Sequence, residues 1–300
     1  IVGRRMVAHW LAKSGADKYA YEVRLARSED GGRSFRLAGV LHADKKPAEH
    51  GFVSWLRDGK ELRAVWLDGR KTPDGGAMQV RTAALSAGGP ANEVELDARV
   101  CDCCATAAVE TALGPLVMYR DRSEAEIRDH SIVRWQAGRW TVPRPLGAEG
   151  WKIEGCPVNG PALAASGHRV AAAWFTAAPA PRLRLAMSKD AGATFSAPVD
   201  LDTEAPIGRL SLTLDADGSA VASWLASGGE GKARLRLRRV LPNGRLGAPL
   251  DLATTTSARA SGMPRIARVG DHLLVVWIEG GAVQKLRALW VPTSQVPRPL

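Results

Sequence analysis

The chain has 300 residues, 45% of them apolar, a net charge of +10 and four cysteines. That apolar content is enough for a large buried core, and no apolar run approaches the roughly 18 residues that a membrane-crossing helix needs. Lys and Arg are scattered through strands and turns, with no nucleic-acid motif and no aromatic–basic interleaving. This argues against nucleic acid as a partner and leaves steering of a small anionic ligand as a role for the charge.

One phrase recurs six times: an apolar, β-branched-rich run that ends in an aromatic and runs into a polar or glycine-rich turn. The aromatics are Trp10, Trp66, Tyr119, Trp174, Trp224 and Trp277, at intervals of 56, 53, 55, 50 and 53 residues. A period near fifty is the mark of a propeller or array. Dense period-2 alternation and turn signals rule out a mostly helical reading. The expectation is therefore all-β: a single six-bladed β-propeller of four-stranded antiparallel blades, at about 1–45, 46–100, 101–152, 153–205, 206–256 and 257–300.

In chain order, the first unit looks short. Only Ile1, Val2 and Gly3 precede the Trp10 strand, so its inner strand is absent from this chain or supplied by the C-terminal segment. The second unit is the clearest, with HGFVSWLRDG, ELRAVWLDGR, MQVRTAALSA and NEVELDARV. The third to fifth repeat the pattern, and the sixth reads PRIARVGDH, LLVVWIEGG and AVQKLRALWV. First strands are rich in Ala, Gly and Pro, as crowded inner strands should be. Second strands are the most continuously apolar, as strands covered on both faces should be. The chain begins at Ile1 without a signal-peptide pattern, which reads as a mature or trimmed form.

Two outer turns share a second motif: Ser28, Asp30, Gly32 and Phe35 in one, Ser188, Asp190, Gly192 and Phe195 in the other. Asp is suited to accept backbone N–H bonds in a tight turn, Gly to supply a positive φ, and the aromatic to pack beneath the hairpin. This pattern resembles the Asp-box (BNR repeat) of the sialidase/neuraminidase superfamily, of which the chain looks like a divergent member. The resemblance implies a structural role for these eight residues and a site on the opposite face, where turns enter first strands and leave second strands. It also implies a secreted or periplasmic location.

Sorting the sequence by that rule gathers Cys101, Cys103, Cys104 and Cys156, all four cysteines, with His50 nearby. Three readings stay open: disulfide staples, including a bridge between units; a soft-metal thiolate site for copper or zinc; or a redox thiol. On an extended strand Cys101 and Cys103 share a side, so they and Cys156 can hold one metal, with His50 as an extra ligand. The other histidines, His42 among them, read as ordinary.

The same rule collects Arg70, Arg120, Arg122, Asn159, Arg209 and Arg265 as candidate ligand-binding residues. Sialidases clamp a carboxylate with three arginines, and guanidinium suits that bidentate task. The alternative is that the arginines brace loops by pairing with neighbouring acids. Sialidases also use a tyrosine nucleophile activated by a glutamate, with an aspartate as acid/base. Tyr119 stands in the core register of the repeat, so that set does not carry over, and Asp68 and Asp121 qualify as acid/base by position alone. The preferred function is a cysteine- and arginine-lined ligand site, with a metal ion as one ligand. The alternatives are an exo-glycosidase acting on anionic sugars and a non-catalytic interaction module for a protein or polymer.

Overall fold

The structure, a computed structural model, describes residues 3–59, 61–86, 88–281 and 283–299. Ile1 and Val2, assigned above to the short first unit, lie outside the described residues, as do Ala87 and Ala282 at the edges of two expected strands.

Six antiparallel sheets follow one another along the chain. Sheet one is β1 (Met6–Lys13), β2 (Tyr21–Ser28) and β3 (Arg36–Val40). Sheet two is β4 (His50–Asp58), β5 (Glu61–Asp68), β6 (Gln79–Ser86) and β7 (Gly89–Asp97). Sheet three is β8 (Ala107–Thr111), β9 (Gly114–Arg120) and β10 (His130–Gln136), with the two-residue β11 (Arg139–Trp140) and β12 (Arg144–Pro145) both paired to β10. Sheet four is β13 (Ala162–Ser166), β14 (Arg169–Thr176), β15 (Arg182–Ser188) and β16 (Val199–Asp202). Sheet five is β17 (Pro206–Leu214), β18 (Ala220–Ser227), β19 (Lys232–Val240) and β20 (Leu250–Thr256). Sheet six is β21 (Arg265–Val269), β22 (His272–Glu279) and β23 (Lys285–Pro292). This is the strand pattern of a six-bladed β-propeller. Sheet one has three strands among the described residues.

The chain divides into two compact units. One holds sheets one to three together with Lys152–Pro157. The other holds sheets four to six together with Gly147–Trp151. In the first unit, Val65, Leu67, Val80, Val100, Val117, Tyr119 and Val133 form one core, and Val23, Leu25, Ala64, Trp66 and Ala83 another. In the second, Phe175, Leu183, Leu185, Leu212 and Trp224 pack together, and Leu235, Leu237, Leu273, Val275 and Val296 form a neighbouring cluster. Past β23, the described residues lie on sheet five, where Arg239 donates to the carbonyls of Thr293 and Val296.

Three of the six recurring aromatics are held by one recurring hydrogen bond. A buried indole or phenol must find a partner for its polar atom. Trp224 Nε1 donates to Asp202 at 2.6 Å, Trp174 Nε1 to Glu149 at 3.0 Å, and Tyr119 Oη to Asp97 at 2.7 Å. Each acid lies 22 to 25 residues before its aromatic, just ahead of the sheet that carries it.

The two outer turns share one network. Ser28 Oγ donates to Asp30 Oδ1, whose oxygens also accept from the backbone N–H groups of Arg33 and Ser34 and from Ser34 Oγ. Ser188, Asp190 and Thr194 repeat this at 2.6–2.8 Å. Gly32 and Gly192 hold φ of +89° and +79°. The expected packing of the aromatic is incomplete, because Phe35 is 47% exposed.

Candidate functional site

The first unit gathers most of the ionisable candidates, and the cysteines stand at the entry to sheet three. β8 begins only at Ala107, so Cys101–Cys104 is a turn and not the extended strand the sequence implied. A turn brings residues i and i+3 together rather than i and i+2. The Cys101 and Cys104 sulfurs therefore lie 3.3 Å apart, whereas Cys101 and Cys103 are at 4.0 Å. Cys103 is bonded to Cys156, joining the turn to the Lys152–Pro157 segment, and Cys101 and Cys104 are free, buried thiols. The four cysteines thus split into a buried thiol pair and a disulfide whose Cys156 end is exposed.

Two arginines back the thiols. Arg128 donates from Nη1 to Cys101 Sγ at 3.4 Å. Arg120, 1% exposed, donates to the Arg128 carbonyl at 2.6 Å and is in hydrogen-bond contact with Cys104. The Cys101 thiol is lowered to about 6, first by hydrogen bonding with Cys104, then by the Cys103 backbone N–H, Arg128 and the charge on Arg120, all against the opposing effect of burial. Arg128 is absent from the sequence-derived candidates because it is 27 residues from Cys101 and only the β9–β10 hairpin returns it.

His50 does not join the thiols. Its Nδ1 lies 3.0 Å from the carbonyls of Tyr21 and Ala48, and its Nε2 faces Asp44 at 3.2 Å and Asp68 at 3.6 Å. Acceptors around both ring nitrogens favour the protonated ring. Burial opposes that charge, but the carboxylates outweigh it and raise the His50 pKa. His42 stacks on His50 with ring centroids 3.6 Å apart and binds Asp44 through Nδ1 at 2.5 Å. His42 is therefore not the ordinary residue it seemed. The signal for it was Asp44, which lies 22 residues before Trp66 at the offset of the aromatic-capping acids. Here that acid holds two histidines, and Trp66 Nε1 turns to Asp68 instead, at 2.8 Å.

Asp68 is fully buried. Arg70 donates to both of its oxygens at 2.7 Å and pairs with Glu93 at 2.6 Å. Burial would raise the Asp68 pKa, but the Arg70 bonds, the His50 charge and the indole N–H together lower it. A buried carboxylate so held is a poor proton donor. Asp121 accepts from Ser131 Oγ at 2.6 Å and from the Arg122 backbone N–H at 2.7 Å. Arg122 pairs with Glu126 at 2.9 Å and Asp102 at 3.2 Å. The carboxyl best placed to hold a proton near neutrality is Glu49, half-buried at the entry to β4. Burial, then the negative charges of Asp102 and Asp17, raise it to about 7.

In the second unit, Asn159 Oδ1 accepts from the Arg209 backbone N–H at 2.9 Å and sits where a Cβ on Gly208 would lie, 2.2 Å away. Arg209 is buried and donates to the carbonyls of Ser257, Ala258 and Gly262 at 2.9–3.2 Å. Both residues brace loops. Arg265 opens β21, is exposed, and has no acidic partner among the described residues.

No protein-family model matches the chain, and no curated protein sequence matches it. The fold has clear counterparts among solved structures. The BP39L lectin of Burkholderia pseudomallei superposes with a TM-score of 0.67 at 13% identity, over 97% of this chain and 78% of the lectin. A leech intramolecular trans-sialidase gives 0.60 at 10% identity, over 98% and 67%. The Trypanosoma rangeli sialidase gives 0.60 at 14% identity, over 97% of this chain and 52% of that protein. The fold is that of the sialidase-like β-propellers, a fold found here in both a lectin and sialidases.

Proposed function

We propose that the chain is a single-domain, extracytoplasmic propeller that binds a ligand and does not cleave glycosides. Its ligand is a soft metal ion held by the Cys101 and Cys104 thiolates. The observation that carries this reading is a pair of free, buried sulfurs 3.3 Å apart against the guanidinium groups of Arg120 and Arg128. Soft thiolate donors select copper(I) and zinc. Two thiolates with one monovalent ion leave a net negative charge, which the two arginines offset. Zinc wants about four ligands, and this centre offers two free thiols, so copper(I) fits better. The Cys103–Cys156 bond supports an oxidising compartment. The Ser28–Phe35 and Ser188–Phe195 turns act as structural Asp-boxes on this reading.

The glycosidase reading is weaker because Asp68 and Tyr119 are buried and already bonded. Its best support is Glu49, a carboxyl whose pKa is raised to about 7 and which is therefore poised to act as an acid. Anaerobic addition of copper(I) tests the choice. The expected result is a thiolate-to-copper absorption band that saturates at one ion and is lost in Cys101→Ser and in Cys104→Ser. Release of a fluorophore from a sialoside, abolished by Glu49→Gln, with no copper band would overturn the metal reading.

A further inference from the structure

The disulfide touches the thiol pair, and that contact has a chemical consequence. Cys101, Cys103 and Cys104 place their sulfurs within 4.8 Å of one another, the spread of donors around a single ion. Only two of the three are thiols, because Cys103 is tied to Cys156. The bond is oriented across the surface: Cys104 and Cys101 are buried, Cys103 is half-buried and Cys156 is exposed. A reductant can therefore reach the Cys156 end without entering the metal centre.

We propose that the Cys103–Cys156 disulfide is a redox lock on the metal centre, and that its reduction by a dithiol supplies the third thiolate and completes the soft-metal site. This inference rests on the metal reading above and adds its regulation. One sulfur of the dithiol attacks Cys156 Sγ. The Cys103–Cys156 bond breaks, and its electron pair leaves on Cys103. The second sulfur of the dithiol then attacks the first, closing the reductant into its own disulfide and releasing Cys156 as a thiol. Two electrons and two protons pass from the dithiol to the two cysteines. On binding copper(I), each of Cys101, Cys103 and Cys104 that is still a thiol gives its proton to solvent. Three thiolates around one monovalent ion carry two negative charges, and Arg120 and Arg128 carry two positive ones. Arg122, 3.2 Å from Asp102 in the same turn, lies at the rim.

The lock predicts two affinities in one polypeptide. Copper(I) is titrated anaerobically, against a chromophoric copper(I) chelator, into wild-type protein as purified and into wild-type protein reduced with a dithiol that is then removed. The reduced form is expected to bind tighter by at least about tenfold, the scale on which even outer-shell changes act at metal sites. Cys156→Ser leaves Cys103 permanently free and is expected to bind like the reduced form without any reductant. Cys103→Ser is expected to stay at the weaker level whatever its redox state. Equal affinities of oxidised and reduced wild type would overturn the lock while leaving the metal reading intact. If no form competes with the chelator, the metal reading fails and the lock fails with it. The wild-type comparison needs no variant to fold.

Discussion

Sheets four and five obey the repeat, and sheet two departs from it beside the chemistry. In sheets four and five the buried indoles of Trp174 and Trp224 each take a carboxylate from the segment just before their own sheet. At the matching place before sheet two, Asp44 is drawn to His42 and His50, and Trp66 must use Asp68, which in turn engages Arg70. The neighbouring sheet three opens on the cysteine turn. A repeat is a statement about packing, and a break in it marks residues held in place for another reason.

Substitutions test that contrast. The largest effect is expected in the regular part. Trp224 is fully buried, and Trp224→Ala should cost about 3–5 kcal/mol in urea unfolding, as large aromatic deletions in cores do. Asp202→Ala is expected to cost less, about 1–3 kcal/mol, because it leaves a buried indole N–H without an acceptor. An unchanged midpoint in either would show that the indole tie does not hold the sheets.

The irregular part should show itself through pH. The folded pKa of His50 is raised, so its stabilising contribution is fully present below about pH 6.5 and is lost as pH rises through the folded value. Asp44 and Asp68 are lowered, so their contribution is present above about pH 4 and is lost as pH falls through their folded values. Wild-type protein should therefore lose stability as pH rises above about 6.5, and His50→Gln should flatten that slope. Parallel profiles for the two proteins would place the charge elsewhere.

A smaller effect separates the arginines behind the thiols from the thiols themselves. Arg128→Gln keeps both sulfurs but removes the donor to Cys101, and copper(I) affinity should fall about tenfold with the absorption band retained. No change would mean that the guanidinium braces Glu126 alone, with which it also pairs at 2.8 Å.

The architecture was legible in the sequence because a propeller repeats its packing rule, and six aromatic runs at a near-constant interval expose it. The two serine–aspartate turns were legible because the serine, aspartate and hydroxyl bonds that define them are local. The cysteine centre was visible as a set but not as an arrangement. Alternation along a strand paired Cys101 with Cys103, whereas the turn pairs Cys101 with Cys104 and sends Cys103 to Cys156. The arginines looked like a clamp because position alone does not show partners: Arg70 and Arg122 bind acids, and Arg209 binds loop carbonyls. His42 is not legible in the sequence because its role depends on a stacking partner that only the fold places beside it.

On this reading two of the four cysteines are metal-binding thiols and two form a disulfide. A thiol count with elemental analysis, on protein purified without reductant or chelator, tests it most directly. The expected result is near-stoichiometric copper and, after metal removal and unfolding, two titratable thiols per chain, from Cys101 and Cys104. Metal-free protein with no titratable thiols would contradict it, and would make all four cysteines structural bridges.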